Sequence, residues 1–327
     1  MKKATDIFSE LGRRLENFGQ SAEERAVIER ACRDNSWFVP HEVVRAVAAI
    51  RDSYLDPNRL TAWIGRYDRP PGLSERRVLV IMAGNIPLVG FFDLLCVVAA
   101  GHRCLIKPAA KDTVLMEYVV GLLKEIEPAI PVGFYDGQAA VDAVIATGSD
   151  NANRYFRSRY AGMKTLLRGN RHSVAVLCGN ETEAQLAALA DDMFAYSGLG
   201  CRNVSLLFVP EGTEVALPSY AAHSKYRNNY MQRKALRTVC RQEFTDTGTA
   251  LLIRQLEFPQ ALSEISVIEY RDPQAVMEWL RTHDAELQCV VANGIEHSRR
   301  VDFGAAQRPS LTDYPDEADV IEFLYAL

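Results

Sequence analysis

The sequence predicts an α/β protein of two domains, each built on a parallel sheet. Three observations carry this reading. Short apolar runs alternate with helix-length segments along most of the chain. Several runs end in glycine, proline or asparagine, at 83–85, 108 and 147–149, as buried strands that feed loops do. The length, 327 residues, suits about two cores of ordinary size.

Taken in order, residues 1–56 read as helical, because Ile7, Leu11 and Leu15, then Val43, Val47 and Ile50, recur at helical spacing. Residues 68–74, with Pro70, Pro71 and Gly72, read as a turn or short linker. The apolar run 77–82 ends at Ala83-Gly84-Asn85, a buried strand and its loop, and the helix-length segment 88–100 follows. Residues 104–108 repeat the unit, with Asp112 as N-cap of the next helix. A third unit is a strand at 143–146, the turn Thr147-Gly148-Ser149 and a helix from Asn151. A strand at 173–177 precedes a helix at 181–196, whose Met, Phe and Tyr residues read as core. Beyond Gly200, apolar runs at 204–209, 250–253 and 289–292 continue the alternation. No repeat or low-complexity tract interrupts it. The expected division is 1–178 and 179–327.

Composition narrows the function. The chain is 48% hydrophobic and 24% charged, as soluble globular proteins are, and its net charge of −5 offers nothing to nucleic acid or an anionic membrane surface. Residues 1–9 lack the apolar core of a signal peptide, and the apolar stretch 86–100 is broken by Pro87, Gly90 and Asp93, so neither export nor a membrane span is expected. Seven cysteines, at 32, 96, 104, 178, 201, 240 and 289, form no CxxC pair. That pattern fits reduced thiols and a cytoplasmic location. The six histidines show no ligand spacing, so no metal is expected.

A few residues are placed where chemistry is done. Cys201 lies in Tyr196-Ser197-Gly198-Leu199-Gly200-Cys201-Arg202-Asn203: two glycines give backbone room, and Arg202 adds positive charge that favours a thiolate. On these residues alone it is either a nucleophile or a small residue in a tight loop, and lone cysteines are more often the latter. Asn85 follows a strand and is either an oxyanion donor or a turn asparagine. Lys107 ends a strand where open α/β sheets bind ligands, and equally suits a solvated strand end. Gly148, between Thr147 and Ser149, permits close approach of a phosphate to a helix start, a weak signal in a common turn. There is no GxGxxG and no P-loop. His172 and His223 are possible bases, though each reads better as a hydrogen-bonded structural histidine.

In order, these pieces resemble the aldehyde dehydrogenase superfamily, and more closely the LuxC-type acyl-CoA reductases. The resemblance rests on MAGNIPLVGFFDLLCVVAAGH (82–102), VIATGSDNANRYF (144–156), RGNRHSVAVLCGNET (168–182), GLGCRNVSLLFVP (198–210), HSKYRNNY (223–230) and FGAAQRPSLTDY (303–314). It implies an aldehyde-dehydrogenase-like fold: two parallel-sheet α/β domains with a cleft between them, the first binding a nicotinamide dinucleotide, the second carrying the nucleophile. It implies that Cys201 takes an acyl group as a thioester from acyl-CoA or another acyl thioester. Asn85 and the Cys201 N–H then hold the oxyanion. Lys107 meets the adenosine ribose, Thr147, Gly148 and Ser149 lie under the cofactor, and Glu264 is the nearest candidate for the nicotinamide ribose, in poorly matching surroundings. NAD-preferring members place a glutamate where this chain has Ala110, followed by Lys111. That implies NADPH, with NADH as the alternative.

One departure matters. Hydrolytic members carry a general-base glutamate 34 residues before the nucleophile, and that position here is Leu167, which cannot activate water. The acyl-enzyme is then expected to wait for a thiol or a hydride unless Glu181 or His172 substitutes. The rivals are an acyl-phosphate reductase like γ-glutamyl phosphate reductase, which needs more basic residues around Cys201 than Arg202, and a thioester-binding or acyl-transfer protein without reductase activity. The apolar tail, residues 319–327, suggests a homo-oligomer, since superfamily tails often reach a neighbouring subunit.

Overall fold

The computed structural model describes residues 2–327. Four helices open the chain: α1 (Ala4–Arg14), α2 (Ala22–Asp34), α3 (Pro40–Tyr54) and α4 (Pro57–Ile64). Strand and helix then alternate as β1 (Arg77–Ile81), α5 (Phe91–Ala99), β2 (Arg103–Lys107), α6 (Thr113–Ile126), β3 (Val132–Phe134), β4 (Ala143–Thr147), α7 (Asp150–Arg159) and β5 (Lys164–Arg168). The rest comprises β6 (His172–Val176), α8 (Glu183–Phe194), β7 (Val204–Pro210), α9 (Ser224–Val239), β8 (Thr245–Asp246), β9 (Leu251–Arg254), β10 (Glu264–Tyr270), α10 (Pro273–Thr282), β11 (Leu287–Ala292), β12 (Arg300–Val301) and α11 (Val320–Tyr325). The α/β class with parallel sheets is as expected.

The chain forms two compact units. The first runs through Asn170 and takes back Pro309–Leu327; the second is Arg171–Arg308. The division therefore falls before β6, not after it at 178/179, because β6 pairs with β7 and β11. The tail was expected with the second unit and belongs to the first. Among the described residues, no helix is long and apolar enough to cross a membrane.

The first sheet is fully parallel, in the order β3-β2-β1-β4-β5. Alternation along β1 explains its two faces. Val78 and Val80 enter the core formed with α1, α5 and α6, while Leu79 and Ile81 enter a second cluster with Val144, Ala146 and Tyr160. The chain runs outward from β1 to β3 and then returns to β1's other side with β4. The switch in direction lies between β1 and β4, and open α/β sheets bind ligands outside the carboxyl ends of strands at such a point.

The tail docks on its own unit. Val320, Ile321 and Leu324 are buried, Asp319 Oδ2 accepts from Tyr67 Oη at 2.6 Å, and Tyr314 Oη accepts from Trp63 Nε1 at 2.7 Å. Buried His102 accepts from the Arg76 N–H on Nδ1, so Nε2–H must donate to the Leu324 carbonyl, 3.0 Å away. The apolar character that suggested an oligomer is thus accounted for within the chain.

Two buried polar groups organise the carboxyl edge of this sheet. Asp93, in the first turn of α5, meets Arg168 at the end of β5 through contacts of 2.7 and 2.8 Å from one guanidinium nitrogen. Asp112 stands at the N-cap of α6, but its side chain makes no cap bond. Its Oδ2 instead accepts from the Leu88 N–H at 2.8 Å, and Oδ1 has no hydrogen-bond partner. Leu88 has φ of +57°, a conformation that costs a branched residue energy and must be held by its surroundings. Burial pushes the Asp112 carboxyl up to about 7, against the pull of the Leu88 amide.

Arg168→Met should destabilise the protein by about 3–5 kcal/mol, because it strands a buried carboxylate. The double variant Asp93→Leu/Arg168→Met should recover most of that loss in denaturant melts; equal loss in both would show that the pair's charges do not matter. For Asp112, the folded pKa of about 7 lies above the ordinary value of 3.8, so the native state holds its proton longer than the unfolded chain. This contribution to stability is full below about pH 4 and is lost as pH rises through about 7. Asp112→Asn should therefore lose less thermal stability than the parent over that window.

Candidate active site

The two units each present a group of the candidate residues. In the first, Asn85 follows β1, Lys107 ends β2, and Thr147 ends β4. Ile81 pairs with Lys107 on one side and Ala146 on the other, so these residues leave adjacent strands at one level. Asn85, Lys107, Ala110, Lys111 and Ser149 are exposed there, while Thr147 and Gly148 are partly covered.

Each of these loops is locally constrained. The loop after β1 approaches the loop after β2 so closely that a Cβ on Gly84 would lie 2.6 Å from the Ala109 Cβ, and the Gly84 carbonyl accepts from Asn35 Nδ2 at 3.0 Å. The turn after β4 is pinned by the Gly148 N–H to the Arg168 carbonyl at 3.2 Å. A Cβ on Gly148 would stand 3.0 Å from the Ala152 Cβ. Ser149 caps α7, its Oγ accepting from the Ala152 N–H at 3.4 Å. A tight glycine turn leading into a capped helix start suits phosphate, and exposed Lys107 and Lys111 put positive charge two strands away on the same edge.

In the second unit, Cys201 is exposed just before β7. The turn that delivers it holds Tyr196, Ser197 and Gly198 at φ of +53°, +59° and +67°. Left-handed backbone at two consecutive non-glycine residues is costly and requires external support. Asn203 provides it: Nδ2 donates to the Asp192 and Ala195 carbonyls, each at 3.0 Å, and Oδ1 accepts from the Gly200 N–H at 2.8 Å. Ser173 Oγ donates to the Cys201 carbonyl at 2.8 Å. Asp192 is buried and accepts from the Gly304 and Ala306 amides at 2.6 and 3.0 Å, while Arg202 Nε donates back to the Ala306 carbonyl. Arg202 thus ties the loop to the 304–306 segment, beyond any effect of its charge on the thiol.

Other sequence candidates acquire definite roles. Glu264, at the head of β10, is buried, and its carboxylate receives Arg233 Nε at 3.0 Å and Arg237 at 2.7 and 2.9 Å. Burial alone would raise it, but the two guanidiniums hold it below its ordinary range. Both oxygens are therefore committed to fastening α9 against β10, which leaves little of Glu264 for a ribose. Glu181 closes a turn with the Cys178 and Gly179 amides, at the end of β6 remote from the Cys201 edge. His172 stacks on Phe258 with centroids 4.1 Å apart, and burial lowers its pKa. His223 caps α9, accepting from the Lys225 N–H at 3.0 Å. Leu167 packs with Leu79, Ile81, Val144 and Ala146, so this position is part of the first unit's apolar cluster. Sequence reasoning did not single out Asn203, Ser173 or Asp192. The hints were that Asn203 lies inside the same matching stretch as Cys201 and Ser173 inside the stretch 168–182.

Residues 66–224 match the family model for acyl-CoA reductase (LuxC). No curated protein matches in sequence. Among solved structures, aldehyde dehydrogenase 21 from Physcomitrella patens, in complex with the reaction product succinate, superposes with a TM-score of 0.67 at 11% identity, over 99% of this chain and 83% of that one. An NAD+ complex of aldehyde dehydrogenase from Bacillus cereus gives 0.61 at 15% identity, over 89% and 72%. Proline utilization A from Corynebacterium freiburgense gives 0.60 at 14% identity, over 88% of this chain and only 37% of that longer one. At these identities the structural likeness establishes the fold. Residues 66–224 are thus similar to the LuxC acyl-CoA reductases, and across nearly all of its length the chain has an aldehyde-dehydrogenase-like fold.

Proposed function

We propose that this protein is an acyl-thioester reductase in which Cys201 carries the acyl group. The observation that supports this most is the exposed Cys201 on a strained turn pinned by Asn203, Ser173 and Asp192. Two consecutive non-glycine residues in the left-handed region cost energy, and such strain clusters at functional sites. The Cys201 thiolate attacks the acyl carbonyl, the carbon–sulfur bond to CoA breaks, and CoA leaves as its thiolate. The Cys201 N–H donates to the oxyanion, and the LuxC-type resemblance assigns Asn85 as the second donor.

The carboxyl ends of β1, β2 and β4 fit a nicotinamide dinucleotide, in this reading NADPH. Gly148 and Ser149 accommodate its phosphates, Lys107 its adenosine ribose and Lys111 a ribose phosphate, with Ala110 leaving room. A reduced nicotinamide bound there supplies the hydride that releases the acyl group as aldehyde. With leucine at 167, that position contributes no base to activate water, so the thioester persists until the hydride or a thiol arrives. The 1–170 unit is then the cofactor domain and 171–308 the nucleophile domain.

Acyl-CoA without cofactor should add one acyl group, read by intact mass, and Cys201→Ser should abolish the thioester. An unchanged adduct on that variant would move the nucleophile elsewhere. Asn85→Ala should slow acylation by roughly 10²–10³, the scale of one lost oxyanion donor. The adduct should be stable in buffer and discharge on adding NADPH; rapid spontaneous hydrolysis would point to a thioesterase.

Cofactor choice is tested separately, by following reduced cofactor with both dinucleotides. NADPH should give the higher kcat/KM, and Lys111→Ala should lower it about tenfold for NADPH while sparing NADH, since a bond to a charged group is at stake. A parent enzyme that prefers NADH would overturn the assignment.

A further inference from the structure

The span that carries Asn85 is short and fastened at both ends. Asn85 is exposed, and only Ile86 and Pro87 lie between it and Leu88. On one side, the Gly84 carbonyl accepts from Asn35 Nδ2 at 3.0 Å. On the other, the Leu88 N–H donates to Asp112 Oδ2 at 2.8 Å. Asn35, Leu88 and Asp112 are all buried. Pro87, also buried, fixes one more torsion inside the span.

Neither fastener is explained by its own element. Asn35 is the C-cap of α2, and its Oδ1 accepts from the Trp37 N–H at 3.1 Å. Its side chain therefore ties the turn between α2 and α3 to a loop 49 positions away. Asp112 stands at the N-cap of α6 yet makes no cap bond, and it leaves Oδ1 buried without a partner. Leu88 is held at φ of +57°. A half-satisfied buried carboxyl and a branched residue in the left-handed region each cost free energy, and both costs fall beside Asn85.

We propose that Asn35 and Asp112 are positioning residues for the reaction, and that together they set where the Asn85 amide stands. This rests on the reading of Asn85 as an oxyanion donor and adds to it the two side chains that hold the donor. A catalytic group must stay within about 0.5 Å of its productive place, and a shift of about 1 Å can cost on the order of 10²-fold in rate. Burial cannot hold an exposed asparagine that closely, so the backbone on either side of it does. The N-terminal helices, which carry no candidate residue of their own, thereby gain a part in the chemistry through Asn35.

Acylation of Cys201 by octanoyl-CoA is followed by intact mass, without cofactor and over a range of donor concentrations. Asn35→Asp keeps the acceptor for Trp37 and removes the donor to Gly84. Asp112→Leu keeps the approximate shape and removes the acceptor for Leu88. Each should lower the limiting rate roughly 10- to 100-fold with the half-saturating concentration unchanged, as loss of a contact made only in the transition state does. Asp112→Asn, which retains an acceptor, should restore most of the rate. In an Asn85→Ala background neither Asn35→Asp nor Asp112→Leu should slow acylation further, because residues that act through one group are not additive. A full further loss in that background, or parent-like rates in both single variants, would overturn the proposal and leave Asn85 as donor. A parent that is not acylated, or an Asn85→Ala variant that acylates at the parent rate, would sink the donor reading and the proposal with it. Hydrogen exchange gives a readout apart from activity: the Leu88 amide should exchange faster in Asp112→Leu and at the parent rate in Asp112→Asn. Unchanged exchange in Asp112→Leu would show that Asp112 does not hold the loop. Should Asp112→Leu fail to fold, Asn35→Asp alone and in the Asn85→Ala background decides the matter.

Discussion

The carboxyl edge of the first sheet is referenced to one buried ion pair, Asp93 with Arg168. Removing two charges from water costs several kcal/mol per ion and is recovered only with good geometry. Here one guanidinium nitrogen contacts both carboxylate oxygens, at 2.7 and 2.8 Å. The position of Asp93 in the first turn of α5 adds the favourable field of the helix start. The pair fixes the beginning of α5, where the Asn85 loop ends, and the end of β5, whose Arg168 carbonyl receives the Gly148 amide. The two loops that leave β1 and β4 are thereby held to one scaffold, although Asn85 and Gly148 are 63 positions apart in sequence.

The second unit solves a different problem with the same means. A thiol that must be exposed cannot be held by burial, so the backbone around it is held instead. Asn203 spends all three of its bonds on the turn, Ser173 fixes the Cys201 carbonyl, and Asp192 anchors the 304–306 segment that Arg202 grips from the other side. These partners come from β6, α8 and a loop more than 100 residues downstream. Preorganisation of this kind is what keeps a reacting group within the small tolerances that catalysis requires.

The same physics explains which elements were legible. Strands β1, β2, β4, β6 and β7 each hold at least three consecutive apolar residues near glycine, proline or asparagine, and hydropathy finds them. Strand β5, Lys164-Thr165-Leu166-Leu167-Arg168, holds only two, and β10 contains Glu264 and Ser266; neither was legible as a buried strand. Glu264 tolerates its place because two arginines meet it, and Ser266 because its Oγ donates to the Glu257 carbonyl at 2.6 Å. Such compensation is invisible when residues are read one strand at a time.

The sequence by itself therefore determined the α/β class, the parallel strands with apolar patterns, and the identity of Cys201, Asn85, Lys107 and the Thr147-Gly148-Ser149 turn as candidates. Local composition and spacing are sufficient for the elements, because strand, turn and helix start each have a short-range signature, while the site candidates stood out only through the resemblance of whole stretches to a known family. Tertiary structure alone decided where the units divide, that the tail folds back onto the first of them, and that Asp112 serves Leu88 rather than its own helix. It also decided that Glu264 is spent on arginines and that the Tyr226 hydroxyl is left without a partner. Each of those outcomes depends on which distant group satisfies a buried charge or donor, and that choice exists only once the chain has folded.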